Sequence, residues 1–172
     1  MSSITISAPE QCPFISFRKV DNVKVGPSPD WLRSKIESVG IRSINNIVDI
    51  TNYILFEWGQ PLHAFDFRKL RGGKIVVRRM RSDEKMQLLS KTTIDGSKNP
   101  LVIADDERPI ALAGIMGGTD TETDEQTEDV LHPLALRKRP GRLVAFDARD
   151  PNRVVKRSQL LLSKRRKSKA GS

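Results

Sequence analysis

His63 is one of two histidines in the 172-residue chain, and its side chain can take up or release a proton near neutral pH. It follows Gly59-Gln60-Pro61-Leu62, a turn set by proline, and precedes Ala64-Phe65-Asp66. Thr51 and Asn52 lie twelve and eleven residues earlier, and both can hydrogen-bond an amino group, an ester carbonyl or a water. Farther along, Ala113-Gly114-Ile115-Met116-Gly117-Gly118 is a run of small residues. Its glycines let the backbone approach a ligand and present N–H groups to a carboxylate, phosphate or oxyanion. Each feature also has a plainer use. The histidine could bond a backbone carbonyl, the Thr and Asn could serve their own helix, and the glycines could pack tightly. Asp49 and Asn46 are further polar candidates that could equally brace a helix. No Ser–His–acid arrangement is visible by motif, and two histidines with one cysteine make no metal cluster.

The elements that must hold these residues follow from pattern. Residues 1–9 are Ser-rich and read as a frayed terminus. Phe14 to Val25 alternates enough for one or two strands. A first helix is predicted with Ser28 as cap, Pro29 and Asp30 at its start and Gly40 at its end. Trp31, Leu32, Ile36 and Val39 form its apolar stripe. A second helix begins after Ser43, stops at Gly59, and puts Ile47, Ile50, Ile54 and Trp58 on one side. From Lys74 the period changes. Ile75–Arg78, Met86–Leu89, Leu101–Ala104 and Ile110–Ala113 read as strands, with turns at Asp95-Gly96 and Asn99-Pro100. Two helices followed by short strands predict an α+β domain with a compact β core. There is no internal repeat.

Bulk properties narrow the class. Hydrophobic residues make up 37% of the chain, no apolar run reaches a membrane span, and no signal-peptide pattern opens it. The single cysteine, Cys12, reads as an inert packed thiol and suits a reducing, cytoplasmic setting. The net charge of +9 points toward nucleic acid until its distribution is examined. Residues 132–172 hold 13 of the 30 Lys+Arg and 2 of the 21 Asp+Glu, a net of +11; residues 1–131 keep 17 and 19, a net of −2. Basic clusters stand at Arg137–Arg139 and Lys164–Lys167. A weak helix is possible around Asn152–Leu162, and residues 164–172 read as disordered.

Residues 41–66, together with Val25-Gly26-Pro27-Ser28-Pro29-Asp30-Trp31-Leu32, Leu101–Asp105 and Ala111–Gly118, closely resemble the β subunit of phenylalanyl-tRNA synthetase. Thr127–Leu131 resemble the start of a third block, so the likeness covers roughly residues 10–131. It implies a β-sandwich-like core with packed helices and an editing domain that hydrolyses tyrosine misattached to phenylalanine tRNA. By the same likeness, His63 and Thr51 take the catalytic positions, with pocket lining and substrate orientation the preferred role for His63. Asn52, Pro61, Ala113, Gly114 and Gly117 line the substrate pocket. The implied partners are that tRNA and the α subunit. ATP and magnesium belong to the parent enzyme's aminoacylation site, and no cofactor is expected here.

The chain also departs from the family. The third block should continue to a glutamate that recognises the tyrosine hydroxyl, but Pro133 stands near that position, after His132. Leu89-Ser90-Lys91 replaces a Leu-Asp-Gly turn. The likeness then stops where the charge reverses. Residues 132–172 are thus expected to form a non-matching basic tail, as a shifted reading frame or truncated gene would produce; a lineage-specific tail is the other reading. Three functions follow: an editing-domain fragment, a non-catalytic remnant or RNA-binding module with a basic tail, and an inactive truncated product. The pocket reading requires His63 and Gly117 to lie within about 12 Å, the span of an ordinary ligand site.

Overall fold

The computed structural model describes residues 3–59 and 62–136. Its strands are β1 (Ser3–Ile6), β2 (Phe14–Val20), β3 (Phe65–Asp66), β4 (Lys74–Arg79), β5 (Lys85–Gln87), β6 (Thr93–Asp95), β7 (Leu101–Ala104), β8 (Pro109–Leu112), β9 (Met116–Gly117) and β10 (Val130–Leu136). Two helices, α1 (Asp30–Ser38) and α2 (Asn46–Trp58), fall between β2 and β3. The architecture is mixed α+β. One sheet runs β1-β4-β7-β8-β9, a second β2-β10-β3, and β5 pairs with β6.

The two larger sheets share one apolar cluster. Ile15 of β2, Phe65 of β3 and Leu131 of β10 meet Ile75 and Val77 of β4, Leu101 and Ile103 of β7, and Ile110 of β8. Strand β4 alternates as a half-buried strand should, with Ile75 and Val77 inward. All four residues of β7 are buried. Leu101 and Ile103 face the shared cluster, while Val102 packs with Met80, Met86 and Leu88 on the other side. The β5–β6 hairpin therefore covers the back of the first sheet, which explains why β7 reads as an unbroken apolar run.

The helices are set by polar side chains more than by their stripes. The Asn45 side chain accepts from the Val48 N–H at 2.9 Å and caps α2. Gly59 ends α2 in the left-handed region, its N–H bonding Leu55 O at 2.7 Å. Asp49 is fully buried. It accepts from the Ser28 hydroxyl at 2.5 Å, from the Ser43 hydroxyl and from the Ile44 N–H at 3.0 Å. One carboxylate thus ties the entry of α1 and the loop before α2 to α2 itself.

Several expectations need correction. The segment expected to fray contains β1, which adds in parallel to the edge of β4 in register Ser3–Lys74 to Ile6–Val77. Ser28 does not cap α1, because its hydroxyl is committed to Asp49. Trp31, at 60% exposure, and Val39 lie outside the core, where only Leu32 and Ile36 of α1 are buried. On α2 the buried residues are Ile47, Asp49 and Thr51, while Ile50 and Trp58 are exposed. Periodicity locates the stripe but not the side that the chain covers. The tail does not begin at residue 132. Strand β10 runs through Leu136 and pairs with β2 from Val130–Val20 to Leu136–Phe14. The pairing follows from the apolar alternation around Leu131 and Pro133, which the basic composition farther on obscures. Residues 137–172, with the Arg137–Arg139 and Lys164–Lys167 clusters and the possible helix at Asn152–Leu162, lie outside the described residues.

The β5–β6 turn carries strain at Lys91, which adopts φ 65° and donates its N–H to Leu88 O at 2.8 Å. A side chain bearing a Cβ costs about 1–2 kcal/mol in this region, and glycine does not. Lys91→Gly is expected to raise stability by about 0.5–1 kcal/mol after glycine's larger unfolded-state entropy is counted. Urea unfolding checks this, with Lys91→Ala as the control that should gain nothing.

Candidate functional site

His63 lies between α2 and β3, just ahead of β3, and β9 delivers Gly117 from the other sheet. The two are in contact. A methyl built on Gly117 would overlap Nε2 and Cε1 of His63 and lie 3.0 Å from Cδ2. Gly117 does not occupy the positive-φ region. It is glycine for space, and the imidazole edge fills that space. The other side of the ring meets Phe65 edge-on, with centroids 4.6 Å apart and planes at 75°.

Nε2 of His63 is buried and has no hydrogen-bond partner among the described residues. Burial, reinforced by the nearby His132, lowers the ring's pKa from 6.5 to about 4. The imidazole is therefore neutral at pH 7. Folding favours that neutral form, so its contribution is fully present above about pH 6.5 and is lost as pH falls toward 4. The backbone carbonyl of His63 accepts from the Nδ1–H of His132 at 3.0 Å, since a carbonyl can only accept. Burial also lowers the pKa of His132, opposed by that bond.

The glycine-rich run forms the β8–β9 hairpin. Ala111 pairs with Gly117 and Leu112 with Met116, leaving Ala113, Gly114 and Ile115 at the turn. Gly114 has φ 68°, which glycine adopts without cost. Ala113 belongs to the shared apolar cluster. At least three of the six N–H groups in the run are already engaged: Ala113 on Leu101 O, Ile115 on Leu112 O and Gly118 on Ile110 O. The run is chiefly a packed hairpin and offers fewer free donors than its composition implies.

The remaining candidates divide. The Thr51 hydroxyl donates to Val48 O at 2.7 Å inside α2, the local use open to a mid-helix threonine. Asn52 is half-buried on the same helix. No hydrogen bond among the described residues joins Thr51 or Asn52 to His63 or to the hairpin. Pro61 lies outside the described residues. Asn46 braces the helix, donating to Lys24 O at 2.9 Å and accepting from Gly26 N at 3.2 Å. Cys12 is buried, and that burial pushes its thiol up, as an unreactive packed cysteine requires. His132 is the residue that sequence reasoning passed over. It is 69 residues from His63, and only the register of β10 brings them together.

Comparison with known proteins adds a lineage to this geometry. A family model described as the B3/4 domain matches residues 11–140. The phenylalanine–tRNA ligase beta subunit of Syntrophotalea carbinolica is 48% identical over 149 residues, covering 83% of this chain and 18% of that protein. The same-named subunit of Symbiobacterium thermophilum is 48% identical over 134 residues, covering 75% and 14%. The chain thus spans less than a fifth of the length of these relatives. An N-terminal fragment of the phenylalanyl-tRNA synthetase beta subunit from Pyrococcus horikoshii shares the fold, with a TM-score of 0.55 at 13% identity, over 77% of this chain and 42% of that one.

The contact at Gly117 makes a direct prediction. Gly117→Ala should destabilise the domain by about 2–3 kcal/mol, the cost of overpacking a filled site. In a His63→Ala background the same change should cost under about 1 kcal/mol, because the overlapping ring is gone. A double-mutant cycle by urea unfolding measures both.

Proposed function

The chain belongs to the B3/4 domain family of phenylalanine–tRNA ligase beta subunits, and on that premise we propose that it is an editing-type module for aminoacyl-tRNA esters. The observation that carries the proposal is the seat of His63. A neutral imidazole lies against Gly117 with its buried Nε2 unengaged among the described residues. Such a ring can give or take one hydrogen bond with an ester, an amino group or a water, at little cost in reorganisation. The two sheets around one apolar cluster form a β-sandwich-like frame that fixes it.

The reaction is ester hydrolysis. Water oxygen bonds to the aminoacyl carbonyl carbon, the bond to the ribose oxygen breaks, and a proton passes to that leaving hydroxyl. With a pKa of about 4, His63 is a weak base. It orients the ester or the water, and a positioned water on an activated ester supplies the chemistry. Gly117 touches the ring, and Thr51, Asn52, Pro61, Ala113 and Gly114 enter the proposed pocket by resemblance. The proposed partners are phenylalanine tRNA carrying tyrosine and, for the longer parent protein, the α subunit. The proposed setting is cytoplasmic. No helix among the described residues is long and apolar enough to cross a membrane.

A second reading is favoured by one position. Pro133 is buried in β10 opposite Phe17, where the resemblance calls for the hydroxyl-reading glutamate. A folded remnant that binds without hydrolysing fits that loss.

Side-by-side deacylation of tyrosyl- and phenylalanyl-tRNA tests both readings. Hydrolysis of both esters at rates within about tenfold is expected, because no buried carboxylate is left unpaired by phenylalanine. No hydrolysis above the uncatalysed rate selects the remnant. A strong tyrosyl preference would show that another residue reads the hydroxyl.

A further inference from the structure

Strand β10 is the central strand of its sheet, and it carries a proline just beyond the point where its pairing with β3 ends. The register identifies which bond is missing. Phe67 N–H donates to Asp129 O at 2.9 Å, so residues 129 and 67 form a hydrogen-bonded pair. Val130 then stands opposite Asp66 and Leu131 opposite Phe65. Bonded pairs recur every second residue of an antiparallel ladder. Leu131–Phe65 is therefore bonded, and the pair after it is Pro133 opposite His63. Its bond would run from the residue-133 N–H to His63 O, and proline has no N–H. The pairing of β10 with β3 stops at Leu131–Phe65, one bonded pair short. The acceptor left over is the carbonyl that His132 Nδ1 reaches at 3.0 Å.

We propose that His132 is a positioning residue: its ring supplies the hydrogen bond that Pro133 removes from the ladder, and so holds His63 against Gly117. The bond fixes the His132 proton on Nδ1 and keeps the His63 backbone in line with β3 although the strand pairing has ended. His63 sits where its ring must enter a gap with room for no Cβ. A small shift of its backbone would therefore withdraw Nε2 from its seat. The consequence for hydrolysis rests on the editing reading above; the consequence for geometry does not.

The test is an unfolding cycle on the full chain, with the parent, His132→Ala, Pro133→Ala and the double variant, joined by His132→Asn. Asparagine places an N–H donor near the position of Nδ1. In the parent background, His132→Ala should raise the unfolding constant about tenfold or more, the consequence of orphaning a carbonyl. In the Pro133→Ala background, where the restored backbone N–H can complete the ladder, the same change should raise it less than about threefold. His132→Asn should keep most of the stability. Where the parent chain deacylates, His132→Ala should slow it and the double variant should recover it; a parent without activity defeats the editing reading alone and leaves the cycle decisive. Equal effects of His132→Ala with and without the Pro133→Ala change, or an asparagine no better than alanine, would overturn the proposal.

Discussion

The His63 ring reaches Gly117 because no Cβ stands in its way, and that contact joins the end of β3 to β9 across the two sheets. Much of the remaining architecture serves this approach. Phe65, two residues on, is fully buried in the shared cluster and touches the ring edge-on. The β8–β9 hairpin engages the Ile115 and Gly118 N–H groups on β8 and the Ala113 N–H on β7, which keeps Gly117 from drifting. Asp66, buried at the end of β3, accepts from the Thr127 hydroxyl at 2.9 Å and the Arg68 N–H at 2.9 Å. That pair ties the far end of β3 to the approach of β10. The imidazole is thus held by packing on one side and by strand registration on the other.

Enclosure determines what the histidine can do. Removing water from an imidazole without giving it a carboxylate partner favours its neutral form. Nε2 remains the unengaged atom, and a neutral ring can use it to orient a ligand without charging the site. The selectivity of such a site depends on a second group. Here β10 offers Pro133, which contributes neither a charge nor an N–H. On the proposed editing reading, this position lacks a discriminating side chain as well as a ladder bond, and His132 compensates only for the second.

Some of this is legible in the chain. Leu101–Ala104 reads with its observed bounds, since four consecutive apolar residues between turns mark a strand covered on both faces. The Gly59 stop and the proximity of His63 to Gly117 also follow from residue types and resemblance. What stays hidden has physical causes. Asp49 draws on Ser28 and Ser43, and sequence spacing cannot show that three hydroxyl and carboxylate groups converge. The apolar period of α2 gives a stripe, but tertiary contact covers Ile47 and leaves Ile50 at 42% exposure. Strand β10 is masked because proline argues against a central strand and cations crowd the residues beyond it. It persists because β3 has already ended beside Pro133, so the N–H side of that residue faces no further strand pairing.

The central claim is that His63 is a neutral, enclosed imidazole at pH 7, seated on Gly117. An NMR pH titration of the His63 ring resonances, assigned with a His132→Asn variant that leaves one histidine, measures it directly. The expected midpoint is about 4, far below the usual 6.5, with the ring's contribution to stability lost as pH falls through the same window. A midpoint of about 6.5 in the folded protein, the value of an unperturbed histidine, would contradict the claim, because a ring that titrates normally is in water and not against the sheet.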